Sequence, residues 1–296
     1  MKLVQRTMTV LDWLAVKVKR RLAFRALRSL RLAQRGEVLE GFVESMIMHV
    51  PVGEATISLY SPFPGLTFRA ESFLTKETDT IKWIDSFKDD QVFWDIGANI
   101  GVYSLYAAVT RRSRVSAFEP SSANYYVLTR NCQLNGLTER LNAYCMAFSA
   151  ATELGVINLA SSSMGAGINQ FGKLGDVSPY ATKSKPELAH GMMGFTIDEF
   201  INQFHPDFPN HIKIDVDGRE LDILSGAKKT LMDSRLESIL VELSVMDIEI
   251  TEQAKSILAG AGFTLVALGE VQRAEVNSAA NHIFRRAGPA AKDASI

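Results

Sequence analysis

Val92-Phe93-Trp94-Asp95-Ile96-Gly97-Ala98-Asn99-Ile100-Gly101 decides the fold of this chain. An apolar run ends in an acid, a glycine-rich turn follows, and a helical pattern opens at Val102. A buried strand that turns sharply into a helix is the first strand-to-helix corner of an open α/β sheet, where ligands of such sheets sit. Gly97 and Gly101 let the backbone bend and approach a ligand closely. The diphosphate fingerprint needs glycine where Asn99 stands, and a negative Asp95 suits a diphosphate poorly. An acid at this corner suits a cation, and S-adenosyl-L-methionine carries both an ammonium and a sulfonium. The plainer alternative is a structural turn that needs its glycines for geometry alone.

Downstream, strand-like runs at residues 91–95, 114–119, 141–147, 211–216 and 238–243 are interleaved with helical patterns at 102–110, 123–135, 220–232 and 251–259, with further strands at 263–268 and 281–286. That alternation predicts βαβ units and a mainly parallel sheet with right-handed crossovers. Residues 161–190 are rich in Gly, Ser, Pro and Lys, and read as a long loop or insertion on the substrate side. Upstream, residues 37–90 read as an α+β lead-in. Strands at 56–60 and 66–70 form a hairpin there, turned by Ser61-Pro62-Phe63-Pro64-Gly65, and a helix covers 78–87.

Two more strand tips carry charge. Glu119, in Ala117-Phe118-Glu119-Pro120, lies eighteen residues past Gly101, where an acid accepts hydrogen bonds from both ribose hydroxyls. Alone it would read equally well as a helix cap. The run His211-Ile212-Lys213-Ile214-Asp215-Val216-Asp217 puts Lys213 and Asp215 on one face by the strand period of two, and Asp217 with them if the strand continues. A lysine beside a carboxylate in a buried strand reads as an ion pair. Two acids invite a metal, but no His or further acid stands at ligand spacing, so no metal site is expected.

The 296 residues, 47% hydrophobic and 22% charged, suit one large α/β domain with an extension. A formal net charge of −1 offers no case for nucleic acid as a partner. The distribution is uneven, however: residues 1–36 hold ten Lys or Arg against one Asp. Lys17, Arg21, Arg25, Arg28, Arg31 and Arg35 form one stripe of a helix predicted over 9–34, with Gly36 as its C-cap. Such a helix either lies on anionic lipid head groups or packs on the body or on a second copy in a homodimer. Cys132 and Cys145 form no disulfide, zinc or redox pattern. No apolar run reaches the ~18 residues of a membrane span. The apolar stretch after Met8 is broken by Asp12 and Lys17 and lacks a small-residue cleavage site. A cytoplasmic protein is expected, with peripheral attachment at the inner face of the membrane as an option. The tail at 287–296 reads as frayed.

The motifs DIGANIG at 95–101, AFEP at 117–120, NCQLNG at 131–136, FTIDEF at 195–200, IKIDVDG at 212–218, ELDILSGA at 220–227 and NHIF at 281–284 together resemble the FkbM family of methyltransferases. The resemblance covers about residues 90–286. It implies a seven-stranded, Rossmann-like class I methyltransferase sheet whose last strand is antiparallel. It also implies S-adenosyl-L-methionine as donor and O-methylation of a sugar or polyketide hydroxyl. The cofactor contacts it implies are Asp95, Gly97, Ala98, Asn99, Gly101, Glu119, Pro120 and Ala147, in a domain spanning 91–286. Asp217 departs from it, standing where the family usually has Glu. Segment 161–190, where members differ most, is expected to shape the acceptor pocket.

Methyl transfer is an in-line displacement that needs the acceptor oxygen held about 3 Å from the methyl. An alcohol acceptor also gains from a general base. Asp215 and Glu242, at the ends of adjacent strands facing one cleft, are the candidate bases, with Lys213 to orient or polarise. His190 could swing in from the insertion, whereas His205 and His211 read as structural or surface. Trp94, Tyr103 and Tyr106 either touch the cofactor or pack on the sheet. A small-molecule or glycan acceptor is expected. Rival readings are a nucleic-acid methyltransferase, which lacks an Asn-Pro-Pro-Tyr-like tetrad here, and a binding module without turnover. A dinucleotide-dependent oxidoreductase would need the missing glycine.

Overall fold

The computed structural model describes residues 21–22, 25–26, 28–179, 181, 185–269, 272–273 and 278–287. By its internal contacts the chain divides into residues 1–47 and 48–296. In the first unit Leu32–Glu44 forms helix α1. Gly36 is therefore inside a helix and not at its end, with no left-handed turn there. An interior glycine costs about 1 kcal/mol relative to alanine, which a helix can absorb. Of the helix expected over 9–34, residues 9–20, 23, 24 and 27 lie outside the described residues, and with them Lys17 of the basic stripe. Among the described residues no helix is long and apolar enough to cross a membrane.

From the unit boundary onward the chain forms a hairpin of β1 (Ile47–Val52) and β2 (Ala55–Tyr60), turned at Gly53-Glu54. The expected hairpin one strand later is replaced by helix α2 (Pro64–Lys76), followed by α3 (Thr78–Asp85). Pro64 takes the first helical position, where its fixed φ helps and its missing N–H costs nothing. Leu66, Ala70 and Phe73, at helical spacing, then bury one side. The prolines that suggested a turn mark a helix start. Residues 48–90 belong to the same compact unit as the rest of the body.

The main sheet follows from β3 (Val92–Ile96), which is buried on both faces as a central parallel strand must be. After it come α4 (Val102–Thr110), β4 (Arg114–Phe118), α5 (Ser122–Leu134) and β5 (Leu141–Tyr144). Residues 147–195 supply β6 (Ala147–Phe148), β7 (Glu153–Leu159), β8 (Asn169–Gly172) and β9 (Leu188–Phe195). Next are α6 (Ile197–Phe204), β10 (His211–Ile214), α7 (Glu220–Ser225), α8 (Lys228–Met232) and β11 (Ser238–Ser244). The chain closes with α9 (Ile248–Gly260), β12 (Phe263–Leu268), β13 (Gln272–Arg273) and β14 (Ser278–Arg286). The main strand order is β12-β14-β11-β10-β3-β4-β5, with β13 beside β14. Pairs around β3, β4, β5, β10 and β11 are parallel, and β14 runs antiparallel to both neighbours. This is the expected seven-strand Rossmann-like winding with an antiparallel last strand.

The stretch expected to be one strand over 141–147 splits, because Ala147 and Phe148 leave the main sheet for a second one ordered β6-β9-β7-β8. Segment 161–190 is likewise not a free loop. It contributes β8 and the start of β9, and buried Asn158 ties the turn beyond β8 by donating to Gln170 and Lys173 carbonyls and accepting from the Gly175 N–H. Side-chain-to-backbone bonds of this kind leave no trace in hydrophobic periodicity.

Strand alternation then sets the two faces. Trp94, Phe118, Phe148 and Phe200 fill one, with ring centroids between 4.7 and 6.0 Å. The register places Lys213 beside Asp95 and beside Leu240, two residues before Glu242. The charged residues at the strand tips therefore share the opposite face, the one on which Trp83 of α3 bonds Ser238. Gly97 is needed where the β3 tip meets β10: its φ is +85°, and a Cβ would lie 1.8 Å from the Asp215 carbonyl oxygen. Gly97→Ala should therefore cost at least ~3 kcal/mol in denaturant unfolding, while Gly136→Ala, also left-handed but in open space, should cost about 1 kcal/mol. Equal losses would contradict this account of the corner.

Candidate active site

At the carboxyl ends of β3, β4, β10 and β11 lies a cavity of about 430 Å³. Its walls include Gly97, Ala98, Asn99, Glu119, Pro120, Ala147, Lys213, Asp215 and Glu242, nine of the eleven site residues expected from sequence. Asp95 and Gly101 are not on the walls. Gly101 packs instead against Leu128, whose Cδ1 a Cβ would meet at 2.2 Å. Asp95 is 1% exposed, with Oδ2 accepting from the Ser104 hydroxyl at 2.6 Å. Its Oδ1 is buried with no hydrogen-bond partner among the described residues.

The cavity is polarised along its length. One end is apolar, walled by Phe118, Met146, Ala147, Phe148 and Phe171. Glu119 stands beside it, 4% exposed, its two oxygens accepting the Asn99 and Ser121 N–H groups at 2.8 Å each. The Asn124 side chain bonds the carboxylate as well, so of its roughly four acceptor sites about one stays open. Burial pushes this carboxyl up to about 7, against the pull of those two N–H groups.

The other end is crowded with acids. One oxygen each of Asp215, Asp217 and Glu242 can be found within 4.8 Å of the others. Glu242 supplies the third acid, which no spacing argument could bring there because it comes from a different strand. Lys213, 1% exposed, donates to Asp215 Oδ2 at 2.6 Å and lies 5.2 Å from the Tyr103 ring centroid. Burial alone would lower the Lys213 ammonium, but Asp215, Glu77 and Asp95 outweigh it and hold it above its ordinary value. Burial would raise Asp215, and Lys213 more than reverses this, leaving Asp215 below the usual range. Glu242 goes the other way: burial, then Asp215 and Asp217, push it well above a normal carboxylate. Two carboxyl groups in one cleft, driven apart in this way, divide into a fixed anion and a proton acceptor.

Asp217 behaves unlike either. It has a left-handed backbone, φ 59°, because β10 stops at Ile214, and its Oδ2 accepts from the Ile168 N–H at 2.6 Å. Burial, then Asp215, raise it to about 6. With Asn99 and Asn124, which both donate to the Ala166 carbonyl, it pins residues 165–168 across the corner. Glu220 is buried and capped by the Val216 and Gly218 N–H groups, so it closes the turn.

Sequence reasoning missed Glu77, Arg69 and Lys76, which reach the cavity from helix α2 and its end. Arg69 and Lys76 stand seven residues apart, two turns of one helix face, a signal hidden by reading Pro62 and Pro64 as a hairpin turn. Of the histidines, His190 lies on β9 and off the cavity wall. His211 stacks on Phe87 at 3.7 Å and bonds Ser238 and Gln91, and burial drives it down to about 3, so it is neutral structure. His205 caps α6 in a left-handed conformation. Tyr103 lines the cavity, whereas Trp94 packs within the aromatic core.

Removing one member of a buried pair leaves the other charge uncompensated, typically at a loss of ~3 kcal/mol or more. Lys213→Met should show that loss in denaturant unfolding at pH 8, and the loss should shrink at pH 5, where the surrounding carboxyls take up protons more readily. A pH-independent loss would mean that the ammonium is not balancing these acids.

The family model described as "Methyltransferase FkbM domain" matches residues 95–264. A curated relative, hexuronic acid methyltransferase AglP of Haloferax volcanii, is 25% identical over 171 residues, covering 57% of this chain and 63% of its own length. The chain thus spans somewhat under two thirds of that relative. Among solved structures, precorrin-6y C5,15-methyltransferase from Geobacter metallireducens is 14% identical, with a TM-score of 0.43 over 74% of this chain and 92% of that one. TYW2 of P. horikoshii, solved in complex with MeSAdo, is 15% identical, with a TM-score of 0.42 over 81% of this chain and 71% of that one. Likenesses of that size fix no substrate, and the fold stands on the strand order itself. The family match covers more than half of the chain, which belongs to the FkbM methyltransferase family.

Proposed function

We propose that the chain is an S-adenosyl-L-methionine-dependent O-methyltransferase acting on a hydroxyl of a sugar or related natural-product acceptor. The observation that carries this reading is the polarised cavity, apolar at one end and acidic at the other, with Glu119 between. The donor set suits the cofactor part by part. The Met146–Ala147–Phe171 end suits an adenine, and the Glu119 carboxylate beside it suits ribose hydroxyls. The unpartnered Oδ1 of Asn99 on the wall offers a further acceptor. The acidic end, held against Lys213, suits an ammonium and a sulfonium. The sugar acceptor is supported by family membership and by the relative named for hexuronic acid.

When bound, S-adenosyl-L-methionine supplies a methyl group activated by a sulfonium leaving group. The protein's work is then to orient the acceptor oxygen and to receive its proton. Glu242 is assigned that proton: as the acceptor oxygen took up the methyl group and the sulfonium left as a neutral thioether, the hydroxyl proton would pass to the Glu242 carboxylate. Asp215, fixed as an anion by Lys213, stays ionised beside it and keeps Glu242 basic.

Calorimetry should detect S-adenosylhomocysteine and not NAD, and Glu119→Ala should weaken the former by roughly tenfold or more, the equivalent of ~1.4 kcal/mol. Binding of neither ligand would remove the enzyme reading. With labelled methyl and a panel of sugars and glycolipids, Glu242→Gln should lower kcat by about 10²- to 10³-fold while S-adenosylhomocysteine binding persists. In the parent enzyme kcat should rise with pH along a limb centred above the ordinary carboxylate range, since burial and the neighbouring acids raise Glu242. A limb that survives in Glu242→Gln would assign the base elsewhere.

A further inference from the structure

One wall of the cavity comes from outside the segment that defines the family. Helix α2 ends before residue 95 and lines the cavity with Gly65, Phe68, Arg69, Ser72, Phe73 and Lys76. Spacings of three and one, repeated, belong to a single helical face, and Gly65 to Lys76 is about 16 Å of helix. An α-helix therefore runs along the cavity opposite the strand tips.

Charge on the walls is segregated by depth. Glu77, Glu119 and Lys213 are buried, at 7%, 4% and 1% exposure. The cations at the rim are not: the side chains of Lys76 and Arg219 are 46% and 37% exposed, and Arg69 is half-buried. Lys76 is engaged only loosely, with Glu77 at 3.5 Å. Arg219 holds Asp176 and Asp222 through its terminal nitrogens, yet its Nε is a buried donor with no hydrogen-bond partner among the described residues. On the same walls the Oδ1 atoms of Asn99 and Asn169 are buried acceptors without partners among the described residues. Phe68 presents a ring 62% exposed. Unmet donors and acceptors beside an open aromatic ring suit a ligand that carries hydroxyls, a negative charge and an apolar ring face.

We infer that helix α2 is the acceptor-selecting wall and that the acceptor is a sugar acid. Its carboxylate is held at the cationic rim by Lys76, its ring lies against Phe68, and its reactive hydroxyl is directed inward to Glu242. This rests on the methyl-transfer reading given above. A positive rim over an acidic floor sorts the two ligands by charge: the cation goes deep and the anion stays at the mouth. A phosphate on the sugar would present the same charge, so the test separates the two.

The full chain, loaded with S-adenosylhomocysteine, is titrated calorimetrically with three matched ligands: methyl glucuronide, methyl glucoside and methyl glucoside 6-phosphate. The glucuronide should bind roughly tenfold tighter than the neutral glucoside, a difference of ~1.4 kcal/mol. Lys76→Met should erase that preference while S-adenosylhomocysteine affinity stays within about threefold. Phe68→Ala should weaken both glycosides alike. Equal binding of charged and neutral glycosides overturns the inference, as does a preference that survives in Lys76→Met. Tighter binding of the phosphate overturns the sugar-acid class. If S-adenosylhomocysteine itself fails to bind, the methyl-transfer reading has failed; if it binds and no glycoside does, only the acceptor inference has.

Discussion

One buried ammonium holds the reactive end of the cavity together. Lys213 is almost fully enclosed, yet Asp95, Asp215 and Glu77 surround it and Tyr103 lies under it. Two of these acids come from the main sheet, while Glu77 sits at the junction of α2 and α3. The same charge therefore ties the methyltransferase sheet to the helices laid over it. Desolvating an ammonium is expensive, and such groups are kept where their partners are fixed in place. Here the arrangement leaves Asp215 ionised and Glu242 basic, two different acids from nearly the same environment.

The glycine-rich corner carries a related constraint. Its first glycine is needed because the β3 turn crosses the Asp215 backbone at a distance no side chain allows. The corner therefore sets where Asp215 stands as well as admitting a ligand. Asn99, Asn124 and Asp217 then bind residues 165–168 over the same corner. The acid at 217, expected beside Lys213 and Asp215 if the strand continued, lies past the strand end and spends one oxygen on a backbone N–H.

How much of this could be read in the sequence depends on the range of the interaction. Strands β3, β4, β10 and β11 announce themselves as short apolar runs, and the charged residues at their tips follow from a period of two. Lys213 and Asp215 were placed on one face by that rule alone. Glu242 was placed in the same cleft only through strand order, and its closeness to Asp215 and Asp217 has no sequence signal. The corner acid was legible as a residue but not in its orientation: Asp95 faces Ser104 and Lys213 from behind the wall. Errors clustered where local chemistry points two ways. Pro64 opens a helix as readily as it closes a turn, and Gly36 is tolerated inside one. The small second sheet is held by Asn158 and by pairing across some thirty residues, which composition cannot reveal.

A crystal structure of the S-adenosylhomocysteine complex tests the central claim most directly, because it fixes which end of the ligand meets which end of the cavity. The expected density has the ribose hydroxyls on Glu119, the base at the apolar end beside Met146 and Phe171, and the sulfur facing Asp215 and Glu242. A nucleoside bound outside this cavity, or inserted the other way round, would contradict it.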